Sequence, residues 1–136
     1  MKNTLKTYNN KTVLTVDDDV DMLDQLKMQL ETMGFTVIQA ESQAEGEQKI
    51  AEMTPDLAIF DLMLENQDSG FVLSYKMKKK APAVPVILIT NVTSETGYHF
   101  DAVTEETRSW VKADVILDKE IRYEQLKREI DRLMKG

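Results

Sequence analysis

The sequence predicts an α/β fold: a doubly wound, five-stranded parallel sheet in the order 2-1-3-4-5 with helices on both faces. Three observations predict it. Five short apolar runs, rich in Val, Ile and Phe, are nearly continuous rather than alternating, as strands buried on both faces read. Between them lie segments whose apolar residues recur at helical spacing. Strand and helix patterns alternate through short connections, which implies a parallel sheet sandwiched by helices, and right-handed crossovers leave few topologies for it.

The first strand covers residues 13–16. In the segment after it, Val20, Leu23, Leu26 or Lys27, Leu30 and Met33 recur every three to four residues, and Gly34 supplies a helix stop. Asp19 and Asp21 read as the N-cap and a first-turn acid of that helix. The second strand covers residues 35–38. Ser42-Gln43-Ala44-Glu45 is a capping-box pattern opening a second helix, which Pro55 closes. The third strand covers residues 57–60. Phe71, Val72, Tyr75 and the stem of Lys79 form the stripe of a third helix, ended by Pro82. The fourth strand covers residues 84–89. A fourth helix is expected within residues 91–112, a long, polar, Thr-rich segment containing Gly97. The fifth strand covers residues 115–117, and a last helix starts at about Ile121 with Leu126, Ile130 and Leu133 on one face.

A chain of 136 residues suits one domain with one core, here residues 12–136 behind a polar segment, 1–11. That length leaves little room for an attached output module. Hydrophobic residues at 42% and charged residues at 30% are globular values and argue against disorder. The net charge of −7 disfavours non-specific nucleic-acid binding, which needs a positive field. Basic clusters at residues 76–80 and 127–132 fall near helix C-termini, where cations complement the helix dipole and read as solvated helix ends. There is no cysteine, hence no disulfide or thiol chemistry, and the eight methionines read as core filler. The N-terminus lacks the apolar stretch of a signal peptide, and no apolar run is long enough to cross a bilayer, so the expected location is cytoplasmic.

Ligands of such a sheet bind at the carboxyl ends of its strands. Strand 1 ends in Asp17-Asp18-Asp19, strand 3 in Asp61 and strand 4 in Thr90, and strand 5 is followed by Asp118-Lys119. Two unit charges about 5 Å apart repel by roughly 3 kcal/mol at an effective dielectric of about 20, so these acids need a counter-charge. A hard divalent cation such as Mg2+ takes a few carboxylate oxygens together with water and phosphate. Asp17, Asp18 and Asp61 against Mg2+ and Lys119 then make a neutral pocket. A carboxylate there can act as nucleophile and form an acyl phosphate, while the cation, the Thr90 hydroxyl and the Lys119 ammonium stabilise the phosphoryl oxygens.

Four stretches carry a specific resemblance: Val-Leu-Thr-Val-Asp-Asp-Asp, Asp-Leu-Ala-Ile-Phe-Asp-Leu-Met, Val-Pro-Val-Ile-Leu-Ile-Thr and Asp-Val-Ile-Leu-Asp-Lys. In this order, over about residues 12–135, the chain resembles the receiver domains of two-component response regulators, whose fold is flavodoxin-like. The resemblance implies that Asp61 is the phosphoacceptor and that Asp17 and Asp18 hold Mg2+, Asp18 more directly. Met63 would add a backbone carbonyl to the metal, and Thr90 and Lys119 would contact the phosphoryl oxygens. It also implies a histidine kinase or histidine phosphotransfer protein as donor, and a downstream protein reading the face made by the fourth helix, fifth strand and fifth helix. That face is a plausible homodimer surface as well.

The chain departs from the family's pattern at several places. Glu65 stands where proline is usual, Gly70 comes one residue late, and Asn91 replaces a small residue after Thr90. Ile116 occupies the aromatic switch position, and Glu120 replaces a proline that is often cis. None removes a chemical group from the pocket; they bear on the switch. Met63 and Val92, two residues after Asp61 and Thr90, are apolar and cannot orient a hydrolytic water, which predicts a long-lived phosphorylated form.

Two alternatives are open at this point. One is a degenerate receiver acting only as a protein-binding module. The other is a small aspartyl phosphatase of the haloacid dehalogenase type using Asp17 and Asp19, although the usual Thr and a cap domain are missing. A calcium loop starting at Asp17 is rejected because Met22 and Met28 stand where Gly and Glu are required. The acidic first loop also disfavours a flavin phosphate. His99 is read as an ordinary residue, and Tyr98, Phe100 and Trp110 as core cover or a partner patch.

Overall fold

In the computed structural model, residues 7–64, 68–90 and 113–134 are described. The apolar runs pair as five parallel strands, β1 (Thr12–Val16), β2 (Thr36–Ala40), β3 (Leu57–Asp61), β4 (Val86–Thr90) and β5 (Val115–Asp118). Their order is β2-β1-β3-β4-β5, as predicted. β3 and β4 are buried at every position, which is why their sequences are continuously apolar. Four helices are described: α1 (Val20–Met33), α2 (Gln43–Glu52), α3 (Ser69–Lys80) and α4 (Tyr123–Met134). α4 is the fifth helix of the sequence reading; the expected fourth, in 91–112, lies outside the described residues.

Successive strand residues face opposite sides of the sheet, and two cores result. Val13, Ile59, Ile87, Ile89 and Leu117 lie under Leu26, Leu30 and Met33 of α1 and Leu126 and Ile130 of α4. Leu14, Val16, Ala58, Phe60 and Leu88 lie under Ile50 of α2 and Phe71, Leu73 and Met77 of α3. Each fully buried Leu, Ile or Phe contributes about 1.5–3 kcal/mol.

Local chemistry sets the element ends. Asp19 caps α1, its carboxylate accepting the N–H groups of Asp21 (3.0 Å) and Met22 (3.4 Å). Gly34 ends α1 at φ 112°, a left-handed conformation that glycine adopts without a Cβ clash. The Phe35 N–H bonds to Leu30 O at 3.1 Å, so Phe35 closes the helix rather than opening β2. Val84 likewise closes a turn onto Ala81 O (3.0 Å), and β4 begins only at Val86. Ser42 caps α2 by accepting the Glu45 N–H at 3.1 Å, while Glu45 takes the Glu41 N–H at 2.8 Å, one residue earlier than a capping box requires.

Four expectations are corrected. Val20 does not join the α1 stripe; it opens the helix at the sheet edge and is 53% exposed. The α3 stripe runs through Gly70, Leu73, Ser74 and Met77, not Val72 and Tyr75, because the buried spacing passes through a serine that polarity alone assigns to solvent. Tyr75 is exposed, with Lys79 Nζ 5.9 Å from its ring centroid. The lysines at the end of α3 are more than solvated helix ends. Lys80 donates to the carbonyls of Ile50, Ala51 and Met53 at the C-terminus of α2, and Lys78 pairs with Asp114 at 2.8 Å. Finally, Tyr8, within the polar stretch before β1, belongs to the core. Tyr8 stacks on Phe35 with centroids 4.7 Å apart, its N–H bonds to Met33 O at 2.9 Å, and its hydroxyl donates to Asp131 in α4.

Candidate functional site

The topology reverses between β1 and β3. The connection through α1 runs to one side of the sheet and later strands add on the other, leaving a crevice at the carboxyl ends of these two strands. Val16 is in register with Phe60, so Asp17 and Asp61 come one residue further along adjacent strands. Thr90 pairs in register with Asp118, and Lys119 follows directly, its N–H bonding to Thr90 O at 3.1 Å. Thus the structure places Asp17, Asp18, Asp61, Thr90 and Lys119 at one edge of the sheet. Carboxylate oxygens of Asp17, Asp18 and Asp61 lie within 4.8 Å of one another.

Burial differs within the cluster. Asp17 is 1% exposed, Asp61 4% and Thr90 2%, whereas Asp18 faces solvent. Asp17 accepts the Asp19 N–H at 2.9 Å, and its second oxygen is buried with no hydrogen-bond partner among the described residues. Asp61 accepts the Met63 N–H at 3.3 Å. Lys119 Nζ bridges the two carboxylates, 3.5 Å from Asp17 and 3.3 Å from Asp61. Burial first, then the charge of Asp17, pushes the Asp61 carboxyl up to about 7. Burial also raises Asp17, against the pull of the Asp19 N–H and Lys119. For Lys119, burial acts downward, but Asp61 and Asp17 outweigh it and its pKa is raised. Lys119 is therefore a durable cation between two acids that are costly to ionise together.

A divalent cation fits this donor set. Three carboxylates converge, one ammonium faces them among the described residues, and a buried Asp17 oxygen is left free there to act as a cation ligand.

The loop leaving Asp61 is held by a close approach. The Gly70 N–H bonds to Leu62 O at 2.8 Å, and a Cβ on Gly70 would meet Leu62 Cα at 2.5 Å and Asp61 O at 2.7 Å. Glycine at this position is legible in the sequence, but its contact is not. Asp19 is not part of the cluster and serves as the α1 cap. Met63 is 44% exposed. Ile116 is partly buried, and the Glu120 N–H bonds to Asp118 at 2.9 Å, with no cis peptide among the described residues. Glu65, Asn91, Val92, Gly97, Tyr98, His99, Phe100 and Trp110 lie outside the described residues.

A buried carboxylate pair bridged by an ammonium lies at the switch point of a 2-1-3-4-5 sheet, the crevice where doubly wound domains take their ligands. Residues 13–131 match the response regulator receiver domain family, and the chain belongs to that family. It is 38% identical over 78 residues to the transcriptional regulatory protein GlrR of Escherichia coli, covering 57% of this chain and 17% of GlrR. It is 32% identical over 82 residues to the phosphate regulon transcriptional regulatory protein PhoB of Pseudomonas aeruginosa, covering 59% of this chain and 35% of PhoB. The match therefore spans only a minor part of these regulators. A CheY-like receiver domain structure from Methanospirillum hungatei is similar at TM-score 0.75 and 27% identity, covering 92% of this chain and 94% of that one. The fold of TrrA from Thermotoga maritima, solved in complex with Mg(2+)-BeF, is similar at TM-score 0.73 and 24% identity, covering 90% and 98%. The chain is thus a receiver domain of the response-regulator class.

Proposed function

We propose that Asp61 accepts a phosphoryl group from a phosphohistidine on a cytoplasmic histidine kinase or phosphotransfer protein, in a Mg2+-dependent reaction, and that a partner protein reads the result. The observation that supports this reading is the buried Asp61 carboxylate held 3.3 Å from the Lys119 ammonium within the Asp17–Asp18–Asp61 cluster.

Asp17, Asp18, Asp61 and the Met63 carbonyl would hold Mg2+. When bound, that ion supplies positive charge offsetting the acids and the phosphoryl oxygens. Ionised Asp61 attacks phosphorus through one oxygen as the phosphorus–nitrogen bond to the donor breaks; the imidazole keeps that electron pair and takes a proton from water. Lys119 meets the developing charge with an ammonium that stays protonated, and Thr90 would donate its hydroxyl to a phosphoryl oxygen. The added charge then draws Thr90 and Lys119 inward and shifts a two-state equilibrium read at the face of the expected fourth helix, β5 and α4.

Intact-protein mass after incubation with phosphoramidate tests the reading. One phosphoryl adduct that needs both Mg2+ and Asp61 supports it, and an adduct undiminished in Asp61→Asn sinks it. Ile116 and Glu120 favour a second reading, a pocket that binds without switching. No adduct under any condition, or a spectrum unchanged by a phosphoryl mimic, selects that reading. Because Met63 offers no group to orient water, the adduct should decay slowly and Met63→Asn should speed its loss. Equal decay rates for the two proteins would refute that role for Met63.

A further inference from the structure

Outside the acidic pocket, a chain of polar contacts joins the first turns of α2 and α3. Ser69, the first residue of α3, is fully buried, and its hydroxyl donates to Gln43 Oε1 at 2.7 Å. Gln43, the first residue of α2, donates from Nε2 to Glu47 Oε2 at 2.9 Å. Glu47 in turn pairs through its other oxygen with Lys76 Nζ at 3.2 Å, back on α3. The contacts close a circuit: along α3 from Ser69 to Lys76, across to Glu47, along α2 to Gln43, and back.

Two glycines let the circuit pull both helices close to the strands that carry the acids. A Cβ on Gly46 in α2 would stand 3.1 Å from Leu73 of α3 and 3.1 Å from Val16, the residue before Asp17. Gly70, next to Ser69, lies against the Asp61–Leu62 backbone and donates its N–H to Leu62 O. The peptide that follows belongs to Met63, whose N–H meets the Asp61 carboxylate. So the Ser69–Gln43 bond connects through Gly70 and Leu62 to Met63 and Asp61.

We propose that Ser69 and Gln43 are positioning residues for the cation site: their bond fixes the start of α3 against β3 and so sets where the Met63 carbonyl stands. The inference rests on the reading of Asp61 as a Mg2+-dependent phosphoacceptor. It assigns a role at the site to side chains that touch neither ion nor phosphoryl group. Loss of a group bonded directly to a metal ligand typically weakens metal binding about 10- to 100-fold, and Ser69 and Gln43 act one contact further out, at the low end of that range.

The test uses the full chain, titrated with Mg2+ by calorimetry, alongside the Mg2+ dependence of adduct formation with phosphoramidate. Ser69→Ala and Gln43→Ala should each raise the half-saturating Mg2+ concentration about tenfold. The adduct rate at saturating Mg2+ should be retained. The double variant should match Gln43→Ala rather than multiply the two effects, because both single variants lose the Ser69–Gln43 bond. Half-saturation unchanged in both single variants overturns the proposal, as does a drop in saturated rate with no change in Mg2+ binding. If Ser69→Ala does not fold, the partly buried Gln43→Ala decides alone. Failure of the native protein to bind Mg2+ or form the adduct would instead refute the phosphoacceptor reading beneath it.

Discussion

Asp61 sits between opposing influences. Burial and the neighbouring Asp17 charge favour its protonated form, and Lys119 favours its ionised form. The first two win without a divalent cation, and this has a consequence for stability. The carboxyl titrates at about 7 in the folded protein against 3.8 for the ordinary group, so the folded state holds more protons between those values. Its stabilising contribution is fully present below pH 3.8 and is lost as pH rises through about 7. Asp61→Asn should therefore raise the Tm in chelator-treated protein, by more at pH 8 than at pH 5, and added Mg2+ should narrow the gap at pH 8. A Tm difference that stays flat or shrinks as pH rises would show that Asp61 is ionised without strain. The identities of these residues were legible because strand ends are legible: an apolar run followed by Asp, Thr or Asp-Lys fixes which side chain leaves the sheet. Their energetics were not, because burial of Asp17 and exposure of Asp18 depend on what packs around each of two adjacent identical residues.

The elements show the same division. The α1 stripe is readable because Leu23, Leu26, Leu30 and Met33 are apolar and buried. The α3 stripe is misread because Ser74 lies in its middle, fully buried. Lys78 and Lys80 escape a local reading because their partners belong to other elements, Asp114 before β5 and the carbonyls ending α2. Tyr8 is the strongest such case, tying the turn before β1 to α4. Burial, then the hydrogen bond to Asp131, raises its pKa and keeps the hydroxyl a donor. Tyr8→Phe keeps the ring stack on Phe35 and leaves Asp131 paired with Lys127 at 2.9 Å. It should cost about 1.5–3 kcal/mol in urea unfolding, the range for one hydrogen bond to a charged acceptor. A loss indistinguishable from zero would mean that packing alone holds the N-terminal turn.

At the scale of the molecule, alternation of strand and helix patterns, with handedness and short connections, left few sheet orders, and the favoured 2-1-3-4-5 order is the one observed. What the pattern does not contain is pairing across the sheet's amino edge. There Asp56 exchanges two 2.8 Å bonds with Thr12, and Asp114 exchanges bonds of 2.7 and 2.8 Å with Val86. Each of these acids lengthens a ladder by one step beyond the apolar run. The carboxyl edge is assembled from equally distant parts: Lys119 and Asp17, which meet there, stand 102 positions apart in the chain. No stretch emerging early from a ribosome contains the pocket, and no half of the sheet can hold it. Closing so long a loop is among the slower events of folding. A ligand of this pocket therefore binds only the finished fold, and it stabilises that fold by mass action without rewarding any intermediate on the way.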